Sequence, residues 1–373
     1  GFTDSSYSAN LAYRFTPDHE VGLKAFSSNG KNDYDGGFSA ATARKDYRND
    51  LTVSSYSAYS RNRFLPNWQS TLQIGQGVDD TEYKTNNVQT SAVRTIQDQY
   101  LWQNDITLPL GKALVAAEWL DQKIRATQNY TENSRTIKSL LSGWGGSLGA
   151  HRWQLNARHD DISGTGTKNT GTAGYGYQFT DTLRAYGSWG TAYKAPSLND
   201  LYFPNIAFVG RGNPNLKPER ANGIDLAFER YFTSGGVASV NVFQRNIRDL
   251  IRSVVALENV SWASSPRYVR RPQNFGNAMT RGIEFDLKFQ LREVMDTQVP
   301  LSVRTNLSLY NSRVDAVPGP NNRLEGQPKG TANLGADYKM RGLPLSLGAS
   351  VNITPGYDLQ LSDIQSSSVG TKV

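Results

Sequence analysis

Hydrophobic and polar residues alternate one by one along much of this chain. Ile283, Phe285, Leu287, Phe289 and Leu291 are interleaved with Glu284, Asp286, Lys288 and Gln290. Ile224, Leu226 and Phe228 alternate with Asp225, Ala227 and Glu229, and Leu345, Leu347, Ala349, Val351 and Ile353 with Ser346, Gly348, Ser350 and Asn352. Leu11, Tyr13 and Phe15 begin the pattern, and Val303, Leu307 and Leu309 continue it. A period of two sends successive side chains to opposite faces of a β-strand, so each segment has one apolar and one wet face. Read this way, the chain divides into about sixteen candidate strands. The expected class is all-β and antiparallel.

The connections choose between architectures that share such strands. Short turns recur at TPDH near Thr16, LPNW near Pro66, GAHR near His151, FTDT near Thr180 and TSGG near Ser234. Between them lie polar stretches read as long loops, at 29–48, 78–94, 194–217, 250–272 and 312–330. Transmembrane barrels have this asymmetry, with short turns at one rim and long loops at the other. A Greek-key sandwich has no reason to alternate so regularly. Phe15, Phe64, Trp68, Trp153, Phe179, Tyr231 and Phe232 fall near strand ends, where interface girdles would form. The expected fold is an antiparallel transmembrane β-barrel, with a soluble β-rich binding protein as the alternative.

Composition fits that choice. Only 38% of residues are hydrophobic, a small share for a dry soluble core but enough for a barrel whose lumen is polar. The chain lacks Cys, which removes disulfides and thiol chemistry. No apolar run approaches the roughly 20 residues of a membrane-spanning helix. The net charge of +7 is interspersed with acidic residues, unlike a nucleic-acid-binding face. Arg267, Arg270 and Arg271 form the densest basic spot, read as a solvated loop base or a contact for lipopolysaccharide phosphates. His19, His151 and His159 are scattered, and alternation places Asp160 on the face opposite His159 and Asp161. No HExxH, P-loop or GxSxG motif occurs, so the chain is not expected to be an enzyme.

The segment from Trp189 to Glu229 carries a specific resemblance. Its "YKAPSLNDLY…GNPNLKPER" wording, fixed at Tyr193, Lys194, Ala195, Pro196, Leu198, Asn213, Pro214, Asn215, Leu216, Pro218 and Glu219, resembles a hairpin of TonB-dependent outer-membrane receptors. "NFGNAMTRGIEFDLKF" and "LEGQPKGTANLGADY" are similar to later parts of that family's barrel. Within the family, the order and spacing of hairpins look most similar to the vitamin B12 (cobalamin) receptors. On that alignment the chain would cover about strands four to nineteen of a barrel of roughly 22. Nothing in it resembles the family's plug, Ton box or closing strands, and it opens inside a strand pattern. Residues 1–373 are therefore expected to be a partial barrel domain, ending at SSSVGTKV in an extracellular loop.

The resemblance implies an active transporter in the bacterial outer membrane, energised by the TonB complex through the plug and in contact with lipid and lipopolysaccharide. Its implied ligand is cobalamin, with ferric siderophores or haem next; a passive porin-like channel explains the alternation but not the GNPNLKPE hairpin. It also implies a calcium site at Tyr34, Asp35 and Asp46, which fall where cobalamin receptors bind that ion. Calcium favours such oxygen donors, although "NDYDGG" equally suits turn chemistry. No nucleic-acid partner is expected.

Overall fold

The computed structural model describes residues 1–34, 45–207, 210–233, 235–260, 263–315, 322–324, 326–362 and 365–369. The first half of the chain supplies β1 (Phe2–Thr16), β2 (His19–Tyr34), β3 (Tyr47–Leu65), β4 (Trp68–Thr85), β5 (Val88–Leu108), β6 (Gly111–Ala126), β7 (Ser134–Leu148), β8 (His151–Ile162), β9 (Gly166–Thr180) and β10 (Leu183–Lys194). A short helix α1 (Leu198–Tyr202) precedes β11 (Glu219–Tyr231), β12 (Val237–Arg248), β13 (Ile251–Glu258), β14 (Arg267–Asn274), β15 (Ala278–Gln290) and β16 (Leu301–Val314). The chain continues through β17 (Gly330–Lys339), β18 (Ser346–Ile353), β19 (Tyr357–Ser362) and β20 (Gln365–Val369).

Sixteen strands form one antiparallel sheet in chain order, interrupted only where β12 pairs with β15. The intervening β13 and β14 pair with each other, as do β19 and β20. Register turns the alternation into a two-faced wall. Leu226, Val242, Ile283 and Leu309 lie in one cross-strand row, and Phe228, Val240, Phe285, Leu307 and Ala332 in the next. Leu11, Leu23, Ala58, Ile74, Tyr100 and Trp119 form the corresponding row at the other end. These outward apolar side chains remain open, Leu226 at 50% and Leu11 at 69%, because no protein layer covers them. The opposite face is polar and hydrogen-bonded: Arg14 with Glu20, Arg245 with Asp225, and Asn241 with Glu284.

Connections alternate in length much as the sequence suggests. Two-residue turns follow β1, β3, β5, β7 and β9 on one rim, while at the other rim β10 and β11, and β16 and β17, are joined by the longer connections 195–218 and 315–329. Two expected loops are instead hairpins. Residues 78–94 continue β4 and β5 around Asn86 and Asn87, whose φ of 52° and 64° make a type I′ turn matched to strand twist. Polarity suggested a loop there, but Thr, Tyr and Val sustain strand geometry beyond the apolar belt. Within 250–272 lie β13 and most of β14. The terminal SSSVGTKV likewise contributes Ser366, Ser367, Ser368 and Val369 to β20. The TSGG turn centres on Ser234, outside the described residues.

Aromatics gather at the short-turn rim: Tyr13 with Phe15 at 4.8 Å, Phe64 with Trp68 at 5.3 Å, Trp144 with Trp153 at 5.4 Å, and Phe232 with Phe289 at 6.0 Å. Tyr231 departs from this girdle. It shares the inward face with Glu229, to which its hydroxyl donates at 2.5 Å.

Candidate functional site: the packed rim on the long-loop side

The loop between β10 and β11 begins with a capping box. Ser197 Oγ accepts from the Asp200 N–H at 3.0 Å, while the Asp200 carboxylate accepts from the Ser197 N–H at 2.9 Å. Two orphan donors at the helix start are thus satisfied, so one turn of helix forms in a polar loop. That turn buries Leu198 and Leu201 beside the returning limb, whose Leu216 is buried too. The limbs approach so closely that a Cβ on Gly212 would sit 2.6 Å from the Leu201 carbonyl. Across the rim, Phe203 meets the Tyr130 ring edge-on at 6.1 Å, and the Tyr130 hydroxyl donates to the Asn199 side chain. Burial raises the Tyr130 pKa above the ordinary tyrosine value, because the phenolate would lose hydration.

The β13–β14 hairpin is stitched to the same loop. Glu219 accepts from the Ile251 N–H at 2.7 Å, and Asn213 donates to the Pro272 carbonyl at 3.0 Å. Asn274 brackets Lys217, accepting from its N–H and donating to its carbonyl, each at 2.9 Å. Arg211 and Arg271 both pair with Glu258, the latter at 3.0 Å in an ion pair whose angle does not make a hydrogen bond. Arg271 is therefore committed within the hairpin rather than being a free member of a basic patch. Leu198, Leu201, Leu216, Val269, Ala278, Ile162 and Val314 give this rim the densest burial among the described residues.

Below the rim the inward wall holds a compact polar cluster. Arg158 donates to Glu118 at 2.7 Å, to Asp160 at 2.8 Å and to Ser139 at 2.7 Å, and Ser139 donates to Asp160 at 2.5 Å. Asp160 is fully buried, which Arg158 and Ser139 make tolerable by satisfying its charge. His159 faces the other way and meets Asn169 at 2.6 Å. Alternation had already separated Asp160 from its neighbours, but it gave no sign of the Glu118–Arg158–Asp160 grouping, which joins strands distant in sequence. The cluster ties three strands of the wall together, with every hydrogen bond of Ser139 and Asp160 named above directed within it.

Of the expected calcium ligands, Tyr34 ends β2 opposite Tyr47, the rings 5.7 Å apart, and Asp46 immediately precedes β3. The two therefore share one hairpin rim, while Asp35 lies outside the described residues. The nearby Asp33 carboxylate is taken by Arg48 at 2.9 Å, and Asp50 by Lys84 at 2.5 Å. Among the described residues no group of three His, Asp or Glu side chains is arranged for a metal.

The TonB dependent receptor-like β-barrel family matches residues 1–369. The chain is 26% identical over 306 residues to the vitamin B12 transporter BtuB of Photobacterium profundum, covering 78% of this chain and 45% of that protein. It is 27% identical over 256 residues to the BtuB of Vibrio vulnificus, covering 65% and 39%. The chain thus spans less than half the length of these curated relatives. Among solved structures it resembles a mutant ferric enterobactin receptor, PfeA, from Pseudomonas aeruginosa in complex with enterobactin, with a TM-score of 0.76 at 16% identity, covering 100% of this chain and 61% of that one. The siderophore receptor PirA from Acinetobacter baumannii gives 0.74 at 15%, covering 100% and 63%. At that identity the likeness concerns the fold. Together with the two-faced wall and the alternating rims, the match along nearly the whole chain means that this protein belongs to the TonB-dependent receptor-like β-barrel family.

Proposed function

We propose that this chain forms the wall and part of the ligand-capturing rim of an outer-membrane active transporter energised through TonB. The observation that carries this reading is the packed rim. A passive channel needs only a wall and an open lumen, whereas here loop 195–218 and the β13–β14 hairpin are ordered into one platform above it. Ordering a loop has an entropic cost, which a preformed capture surface turns into affinity for a scarce solute. The role is binding and transport, not chemistry.

Cobalamin is the first choice of ligand, supported by the two BtuB relatives. Ferric siderophores come second, supported by the structural neighbours, with haem after them. Calcium belongs to the cobalamin reading, with Tyr34, Asp35 and Asp46 as the residues that would contribute to its site. In this reading residues 1–373 are a partial barrel domain, and the plug and remaining strands belong to the rest of the protein. Titration of the full-length protein with cyanocobalamin, with and without calcium, and with ferric enterobactin in parallel, tests the assignment. Saturable cyanocobalamin binding tightened by calcium is expected. Binding of the iron chelate alone would move the assignment to siderophores, and binding of neither would sink it.

A further inference from the structure

The inner face of a wet lumen leaves its side chains open, as Ser188 on β10 and Asn333 on β17 are. Asp160 and Ile162 on the inner face of β8 are instead 0% and 1% exposed. Neighbouring strands do not bury them, because strand partners lie beside a residue and not over it. The cover is loop 195–218. Its first limb is held to β7 through Arg135 and Pro196, and to the β6–β7 connection through Tyr130 and Asn199. It also meets the β8–β9 turn, where a Cβ on Gly164 would lie 3.7 Å from the Tyr202 hydroxyl. The limb therefore crosses back over β9 and β8.

Strand pairing shows where that crossing begins. β9 and β10 pair from Leu183↔Thr180 to Gly190↔Thr172 and then stop, although β9 starts at Gly166 and β10 runs to Lys194. The free end of each stays paired on its other side, β9 with β8 and β10 with β11. Thr191 makes the last link, its hydroxyl accepting from the Gly171 N–H at 3.0 Å. Two residues further, Tyr193 has the parity of Trp189, which faces outward. Its hydroxyl nevertheless lies against the Asp160 carboxylate, with the Arg158 and Arg135 guanidinium groups near it. The two facts agree once β10 passes to the inner side of β9 beyond Gly190. An outward-directed side chain then meets the inner face of β8.

Asp160 is prepared for that contact. A carboxylate has about four acceptor sites. Ser139 donates to it at 2.5 Å and Arg158 at 2.8 and 3.1 Å, which leaves room for one more donor. Lys168, directly opposite on β9, turns its ammonium to the Thr167 carbonyl at 2.9 Å instead. The remaining site faces Tyr193, whose rigid ring reaches from the strand end to the wall and brings a donor to a buried charge.

We propose that Tyr193 and Asp160 are positioning residues for solute capture: their contact turns the end of β10 inward and so sets loop 195–218 over the lumen mouth. The proposal rests on the capture role given to this rim above, not on which solute is captured. Because the chain has no cysteine, a single nitroxide at Asn205→Cys, an exposed position of the loop, reports on the limb. In full-length protein that is otherwise wild type, the label should show restricted motion. A freely mobile spectrum there would overturn the proposal without any further variant. Adding Tyr193→Phe should raise the mobile fraction, while the heat-modifiable band on gels shows the wall still closed. Cyanocobalamin and ferric enterobactin serve as separate probes of affinity. Tyr193→Phe should weaken whichever binds by about fivefold, the weight of one net hydrogen bond, mainly through slower association. An unchanged label spectrum in Tyr193→Phe, or a mobile loop with wild-type affinity, would overturn the proposal. Binding of neither probe by the wild type would sink the ligand assignment instead, and the label spectra would still decide the role of Tyr193.

Discussion

The Arg135 guanidinium on β7 donates to the Pro196 carbonyl at 2.7 Å, tying the wall to the start of the capture loop. The same side chain donates to Gln122 at 2.6 Å, so its position is fixed from the wall side. Pro196 itself is fully buried. Replacing Arg135 with Met keeps much of the apolar stem and removes both bonds. The expected cost is about 1–3 kcal/mol, the price of leaving a buried carbonyl without its charged donor. Limited trypsin digestion of the folded protein should then cut faster after Lys194 and Arg211, with little change in the melting of the wall.

Asp160 makes the opposite prediction, for the wall. Asp160→Asn keeps an acceptor for Ser139 but removes the negative charge that faces Arg158. A loss of about 2–4 kcal/mol is expected, because breaking a buried pair leaves one charge poorly compensated. The fall should appear as a lower melting temperature of the heat-modifiable band on gels. A double-mutant cycle with Arg158→Met should show strong coupling, since the two substitutions remove the same interaction.

Tyr130 supplies a pH dependence outside the strands. Burial raises its folded pKa above the free value, so its contribution is complete below the ordinary tyrosine range and is lost as pH rises through the raised value. The difference absorbance between wild type and Tyr130→Phe should show a phenolate forming at a higher pH than in the urea-unfolded protein. Coincident titrations would show that Tyr130 is not held in the rim.

How much of this was legible in the sequence differs between wall and rim. Leu226 and Asp225 announce their faces because strand geometry is local and has a period of two. The extended hairpin around Asn86 and Asn87 was hidden by its polarity, since above an apolar belt a strand has no greasy face to display. The resemblance motif was visible as wording, but its physical role was not. Asn213, Leu216 and Glu219 bind the hairpin and fill the rim's small core, contacts made across as many as 59 residues. The Glu118–Arg158–Asp160 grouping was unreadable for the same reason: sheet register, not spacing along the chain, brings it together.

Close packing within the wall separates two glycines of similar appearance. A Cβ on Gly282 would lie 2.5 Å from the Leu309 carbonyl and 2.8 Å from the Phe243 ring, whereas one on Gly77 would meet nothing within 4 Å. Gly282→Ala should therefore destabilise by about 1–3 kcal/mol through overpacking. Gly77→Ala should be neutral or slightly stabilising, because it restricts the unfolded chain. Refolding yield and melting temperature measured side by side would distinguish the two, and equal effects would contradict the backbone approach at Gly282.

The two faces of the wall give the sharpest test of membrane insertion. Leu226 lies in the outward row with Val242, Ile283 and Leu309, and Asn333 lies on the other face beside Asn306. Arginine at a lipid-facing site costs about 2–4 kcal/mol near the bilayer midplane, whereas a wet lumen accepts it. Leu226→Arg should thus lower the fraction of full-length protein that refolds into phospholipid vesicles, with Asn333→Arg close to wild type. In detergent the penalty at Leu226 should shrink, because a micelle deforms more readily around a charge than a bilayer does. If Asn333→Arg were the damaging substitution, the faces would be reversed, and the polar ladder from Asp225 to Asp337 would have to be the outer surface of a different kind of protein.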